Sequence, residues 1–507
     1  MQHSADKLHL PSHYPIEGDR ADCGPLSCWL RQVGAHLDRF LQFRHADAMH
    51  NAAGWRGALN RPLPLDGAGM QTVIDELGEH VIPNGSQIPH PGFTSFITTG
   101  ATSVGALTAL AGTVAAQQRI TQSAFHFLEA LSLQWLAELF ELPHNMQGVY
   151  SSGGSVANLV ALGAARQWAF ERIGVDASAE GVRHPARIYA SSASHRTIFR
   201  AAAVLGLGRD AVIPVATDAQ GRMCVEHLAN ALAQDVAQGR LPIAIVATAG
   251  TTGAGAIDPL RSLSELTRRH STWLHVDGAY GLPGMLDPQA RPLFDGLAAV
   301  DSVVVDAHKW LGAPVGIGAT FVRDREVLRR AFAQGAADYL EGSCSSDDIK
   351  HSLDGLGEPY SDYGVELSAP PRGAVVWALL REIGATGLRE RVCRHNAMAR
   401  WVAEQAQAHP NLEALNAPML SIACIRYVPD SDRDVTRLND LNRRIHRELV
   451  RNGCNMPSTT VIDGQFAIRA CFIGARTTWT HAESLLQEIL AIGHRLTNKR
   501  DAHRHYA

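Results

Sequence analysis

The chain contains no run of 18 uncharged apolar residues, so a membrane-spanning helix is not expected. Its first residues, MQHSADKLHLPSHYP, lack the apolar core of a secretory leader. Cysteine is sparse, with eight in 507 residues, and none stands in the paired spacing of a zinc site or disulfide framework. No metal site is therefore expected. An excess of either charge is also lacking: the formal net charge is −4, which argues against a surface built for nucleic acid or anionic membrane. Internal repeats and low-complexity tracts are absent. These absences leave a cytoplasmic protein as the expectation.

What is present is core-forming sequence. The chain is 46% hydrophobic, and its length predicts two or three lobes. Residues 1–85 read as a helical segment broken by Gly/Pro-rich joints, with Leu26–Phe43 at helical spacing before AAGWRGALNRPLPLDG. Residues 86–385 alternate helices with short apolar strands. Ala124–Leu142 is amphipathic, and Val149–Ser151 leads through a glycine turn into a helix over Val156–Phe170. Ala186–Ala190, Ala211–Val215, Ile243–Ala247, Trp273–Val276 and Ser302–Val305 read as strands. They lack period-two alternation, as parallel strands covered on both faces should, and predict a doubly wound α/β domain. Residues 386–507 read as a smaller α+β lobe. It holds a long charged helix, strands at Met419–Tyr427 and Gln465–Cys471, and helices at Val435–Asn452 and Thr480–Leu496.

Three segments of the larger lobe carry chemistry. WLHVDGAYG places Asp277 at the end of a buried strand, where open α/β sheets bind ligands. DSVVVDAHKWLG places Lys309 just beyond another, and partial burial there favours the neutral amine that attacks a carbonyl. VYSSGGSVANLVALGAAR runs from strand through Gly153-Gly154-Ser155 into a helix, whose first amides and dipole suit an anion. It is not a P-loop, because no Gly-Lys-Ser/Thr follows. Taken singly, Asp277 could cap a turn, Lys309 could be a snorkelling surface lysine, and the glycine turn an ordinary helix entry. Together, an anion cradle, a strand-end carboxylate and an amine on one sheet are what pyridoxal phosphate requires.

These motifs, DAHKW and HVDGAY above all, resemble the group II pyridoxal-dependent decarboxylases, which include aromatic amino-acid and glutamate decarboxylases. The resemblance runs from about His90 to Thr477. It implies an aminotransferase-like large domain of fold type I, a homodimer with shared active sites, and an N-terminal segment packed on the partner. It implies that Lys309 carries the cofactor as a Schiff base, that Asp277 pairs with the pyridine nitrogen, and that His195, in SSASHRTI, stacks on the ring. Gly154, Ser155, His308 and Ser302 fall at phosphate-side positions. Thr252, in AGTTGAGAIDP, falls in a cofactor-contact segment, and Ala279 matches a small residue that lets the ring lie close. Asp306 stands where some relatives carry Asn. Tyr339, in AADYLEGS, resembles the tyrosine of a mobile loop that returns a proton to Cα.

On the substrate side the resemblance implies Phe96 and Thr99, in HPGFTSFITTG, and Arg119, in a segment that relatives contribute across the dimer. The pattern departs at LSAPPRGAVVW, where Arg372 and Trp377 match and two prolines intervene, and in a substrate wall with fewer aromatics. The expected reaction is decarboxylation of a small-molecule L-amino acid to its amine. Two alternatives stand beside it. One is another fate of the same cofactor chemistry (aldehyde synthase, aminotransferase or carbon–carbon lyase), and the other is a non-catalytic cofactor-binding protein.

Overall fold

In the structure, a computed structural model, the described residues are 26–44, 52–115, 124–333, 360–430 and 433–504. The chain divides into two compact units, Met1–His90 and Pro91–Ala507. The first is helical: α1 (Leu26–Phe40), α2 (Ala52–Leu59) and α3 (Met70–Glu76), followed by shorter turns. α1 buries none of its residues.

The second unit holds two sheets. Its strands are β1 (Phe93–Thr94), β2 (Gln147–Ser151), β3 (Ala186–Ser191), β4 (Val212–Val215), β5 (Leu241–Thr248), β6 (Trp273–Asp277), β7 (Ser302–Asp306), β8 (Gly318–Val322), β9 (Leu412–Ala414), β10 (Ile422–Tyr427), β11 (Met456–Ile462) and β12 (Gln465–Cys471). The larger sheet runs β2-β8-β7-β6-β5-β3-β4. Strands β4, β3, β5, β6 and β7 are mutually parallel, while β8 is antiparallel to both neighbours, β7 and β2. Strands β6, β7 and β8 are buried along their whole length, which is why their apolar runs are continuous.

One face of this sheet is covered by α6 (Gly154–Glu171). Small side chains permit the approach: Ala157 and Ala161 of α6 pack against Ala279 and Val304. The smaller sheet runs β1-β11-β12-β10-β9, antiparallel except where β1 joins β11.

The seven-stranded sheet matches the expected α/β fold, and the strands read from the sequence lie within one to three residues of those observed. β8 was not foreseen, because GATFV is short and opens on glycine. β11 was missed because its outer half alternates between half-buried and exposed positions. The larger and smaller lobes expected on either side of residue 385 both lie in the second unit. Two helices spanning Arg372–Ala408 meet at a kink beside that position, at Gly384 (φ 66°). The first packs into the core of the larger sheet through Val376 and Leu379; the second reaches that core through Leu388 and Val392 and the smaller core through Met398 and Val402. No described helix is long and apolar enough to cross a membrane.

Gly318 opens β8 where a side chain has no room. A Cβ there would lie 2.5 Å from Asp306 Oδ1 and 2.8 Å from the Gly153 backbone. Gly318→Ala is therefore expected to lower unfolding stability by about 1–3 kcal/mol, read as a shifted urea midpoint at unchanged slope.

Candidate active site

The parallel strands end along one edge of the sheet, and the loops beyond them form a cleft. Ser152 to Ser155 enter it after β2, His195 after β3, Thr248 to Thr252 from the end of β5, and Asp277 to Tyr280 after β6. Asp306, His308 and Lys309 arrive from β7. Pairing fixes their relative height, since Thr248 lies beside Asp277 and Asp277 beside Val304.

Lys309 does not snorkel outward. Its Nζ lies 3.1 Å from Asp306 Oδ2, with the lysine side chain 21% exposed and the aspartate 1%. The other carboxylate oxygen, Asp306 Oδ1, is buried with no hydrogen-bond partner. His308 stands on the same side, its Nδ1 2.9 Å from the Ile317 carbonyl and its Nε2 3.8 Å from Asp306. Beyond Lys309, the buried Trp310 ring stacks on Tyr280 at 5.3 Å, and its Nε1 donates to His395 Nδ1 at 3.0 Å.

Asp277 is buried and held by the Ala279 amide, which donates to its Oδ1 at 3.1 Å. The Thr197 amide donates to His195 Nδ1 at 3.3 Å, so that nitrogen carries a lone pair and the ring proton sits on Nε2. Burial pushes the His195 imidazole below its usual range; the Asp277 charge opposes this shift and Lys309 adds to it.

A pyridoxal-dependent decarboxylase conserved domain matches residues 56–428. The chain belongs to the pyridoxal-dependent decarboxylase family. It is 31% identical to an L-2,4-diaminobutyrate decarboxylase of Rhizobium meliloti (strain 1021) over 430 residues, 84% of this chain and 83% of that one. It is 28% identical to an aromatic-L-amino-acid decarboxylase of Bacillus atrophaeus over 444 residues, 86% and 88% of the two chains. The crystal structure of Oryza sativa TDC with PLP and tryptamine superposes with a TM-score of 0.85 at 23% identity, covering 95% of this chain and all of that one.

The cofactor of this family member is pyridoxal 5′-phosphate, and the cleft suits it. The glycines beside Ser155 leave backbone, not side chain, facing the opening: a Cβ on Gly153 would meet His308 at 3.0 Å, and one on Gly154 would meet Asp306 at 2.6 Å. Val156 and Ala157 both donate to the Gly153 carbonyl, leaving the amides of Gly154 and Ser155 as the helix-start donors for an anion. The orphaned Asp306 oxygen adds a buried acceptor to the same wall.

Of the expected site residues, Gly154, Ser155, His195, Thr252, Asp277, Ala279, Asp306, His308 and Lys309 all line this cleft. Ser302 does not. It begins β7 rather than ending it, paired with His275, and its hydroxyl oxygen bonds Trp273 Nε1 and His275 Nδ1 at 2.8 Å each. Four strand steps separate it from Asp306, roughly 13 Å at the strand rise. Phe96 and Thr99 do not line the cleft either. Phe96, at φ 55°, leaves its ring 66% exposed, and the buried Thr99 hydroxyl bonds the Gly100 carbonyl; Ile97 between them is the residue that faces in. Tyr339 and Arg119 lie outside the described residues. Arg372 forms a bidentate pair with Glu366 at 2.8 and 2.9 Å, a partner that LSAPPRGAVVW does not contain. Asn158, Thr197 and Tyr280 also line the cleft. All three were inside quoted motifs, but nothing in their spacing marked them.

A depressed folded-state value means that protonating His195 opposes folding, so this contribution to stability is present above the ordinary histidine range and lost as pH falls. The His195 ring is expected to titrate below pH 6.5 by side-chain NMR. Asp277→Asn should lower the midpoint further by removing an attracting charge, and Lys309→Ala should raise it.

Proposed function

We propose that the enzyme removes the α-carboxylate of an L-amino acid as CO2 and releases the corresponding amine. The observation that carries this reading is the convergence of Lys309, Asp277 and His195 in one cleft beside the glycine cradle. Bound pyridoxal phosphate supplies a ring that accepts the electron pair left when the bond between Cα and the carboxylate breaks.

The chain's own residues do the rest. Lys309 would hold the cofactor through its amine. Asp306, at 3.1 Å, orients the Nζ end. Asp277, pinned by the Ala279 amide, would keep a proton on the pyridine nitrogen. His195, with its Nδ1 tied to Thr197 and its proton affinity lowered by burial, would contact the ring without adding a second cation beside Lys309. Tyr339 returns the proton to Cα, a role that rests on its resemblance alone.

The working form is a homodimer. The helix α4 (Ser103–Ala115) is apolar nearly throughout, yet Leu107 and Val114 are 65% and 62% exposed. Phe127, near the start of the helix Ala124–Leu139, is equally open. So much apolar surface favours coverage by a second copy. The fully unburied α1 favours packing of the N-terminal unit on that copy too.

A panel of L-amino acids, assayed for CO2 and amine, tests the reaction. One amino acid should yield both in equal amounts, without ammonia, hydrogen peroxide or keto acid; appearance of the last three would favour an aldehyde synthase or aminotransferase. Borohydride should fix the cofactor to the peptide holding Lys309, and Lys309→Ala should abolish the tag and lower turnover by at least about a thousandfold. Leu107→Glu should shift the protein toward monomer in sedimentation, and an unchanged sedimentation coefficient would count against this face.

A further inference from the structure

A line of buried polar groups runs through the core from the far end of β6 to the glycine cradle. Trp273 Nε1 donates to Ser302 Oγ at 2.8 Å, and Ser302 Oγ meets His275 Nδ1 at 2.8 Å. His275 Nε2 meets Asn158 Oδ1 at 2.8 Å, and Asn158 Nδ2 donates to the Gly154 carbonyl at 2.8 Å. All four side chains are buried, His275 and Ser302 completely.

Both ends of this line have a fixed polarity. The indole N–H of Trp273 can only donate, so Ser302 accepts there and is left one proton to give to His275 Nδ1. The Gly154 carbonyl can only accept, so the Asn158 amide turns its nitrogen toward Gly154 and its oxygen toward His275. His275 must then carry its single proton on Nε2. Every donor meets an acceptor in this arrangement alone. A protonated imidazole would place N–H against Ser302 Oγ and orphan the serine proton. Burial suppresses that form, holding His275 down to about 4.

The last link of the chain belongs to the cleft. Asn158 lines it, one turn into α6, and the Gly154 carbonyl that it holds shares a peptide plane with the amide of Ser155, both residues lining the cleft. We infer that His275 is a positioning residue for the phosphate cradle, acting through Asn158 to fix the Gly154 peptide and the angle at which α6 presents its first amides. The inference rests on the reading that the cofactor phosphate occupies that cradle. A buried relay suits this task because each member is costly to leave unpaired, so the arrangement is stiff.

Pyridoxal, which lacks the phosphate, separates this role from a general structural one. Dissociation constants for pyridoxal phosphate and pyridoxal are measured by equilibrium dialysis on the full-length protein and its variants. His275→Leu leaves Asn158 Oδ1 and the Ser302 proton unpaired, and should weaken pyridoxal phosphate binding about tenfold or more while leaving pyridoxal within about twofold. His275→Gln, which can still donate to Asn158 and accept from Ser302, should recover most of the difference. If His275→Leu does not fold, Ser302→Ala removes one link and should move the ratio of the two constants in the same direction by about threefold. Ser155→Asp, which sets a negative charge in the cradle itself, tests the underlying reading, because it repels a phosphate and not pyridoxal. A shifted ratio in Ser155→Asp with none in the relay variants overturns the inference alone. An unchanged ratio in Ser155→Asp overturns the cradle assignment and the inference with it. Equal weakening of both ligands in His275→Leu makes His275 a core residue only.

Discussion

Strands β5, β6 and β7 are paired in a register that sets Thr248 beside Asp277 and Asp277 beside Val304, so their last residues reach the same edge together. The rest of the site follows from this alignment. Side chains alternate between faces along a strand, and a slip of one residue in β6 would turn Asp277 away and present Val276 or Gly278 in its place. Burial of β6 and β7 on both faces resists such a slip, because every displaced side chain would meet packed core. The carboxylate of Asp277 and the amine of Lys309 thus hold their spacing without a direct bond between them.

Around that edge, the acid beside the lysine is kept in place by what is missing near it. Gly154 and Gly318 approach Asp306 so closely that a methyl on either would strike its carboxylate. Asp306 is therefore enclosed by backbone on two sides, with Lys309 as its cationic neighbour. A carboxylate so enclosed is costly unless paired. This helps explain why Lys309 points inward and not into solvent.

Much of this was legible in the sequence. The continuous apolar runs ending in Asp277 and Asp306 mark parallel strands and the edge they share, and DAHKW with HVDGAY marks the cofactor. What was not legible is long-range. The family resemblance placed Ser302 on the phosphate side, yet it opens β7 at the end away from Asp306, in a hydrogen-bond network with Trp273 and His275. Phe96 looked like a substrate wall, but a left-handed backbone turn sends Ile97 into the cleft instead. Trp310 gave no sign of His395, 85 residues away. The boundary expected at residue 385 falls beside the kink at Gly384, and the helix after the kink contributes to both cores, which sequence did not show.

The antiparallel course of β8 has a consequence for the lysine. The chain leaves the sheet at Asp306 and returns to it beside the same residue at Gly318. Between these points it is cross-tied by His308 to Ile317 and by Ala313 to Ala307. Lys309 is thus mounted on an arch with both feet bonded into one sheet. Most of the ordering of this backbone is accomplished when the protein folds, and only the four-carbon side chain is left to move. The amine is in effect tethered at a fixed point of the cleft, with a reach set by the length of one lysine.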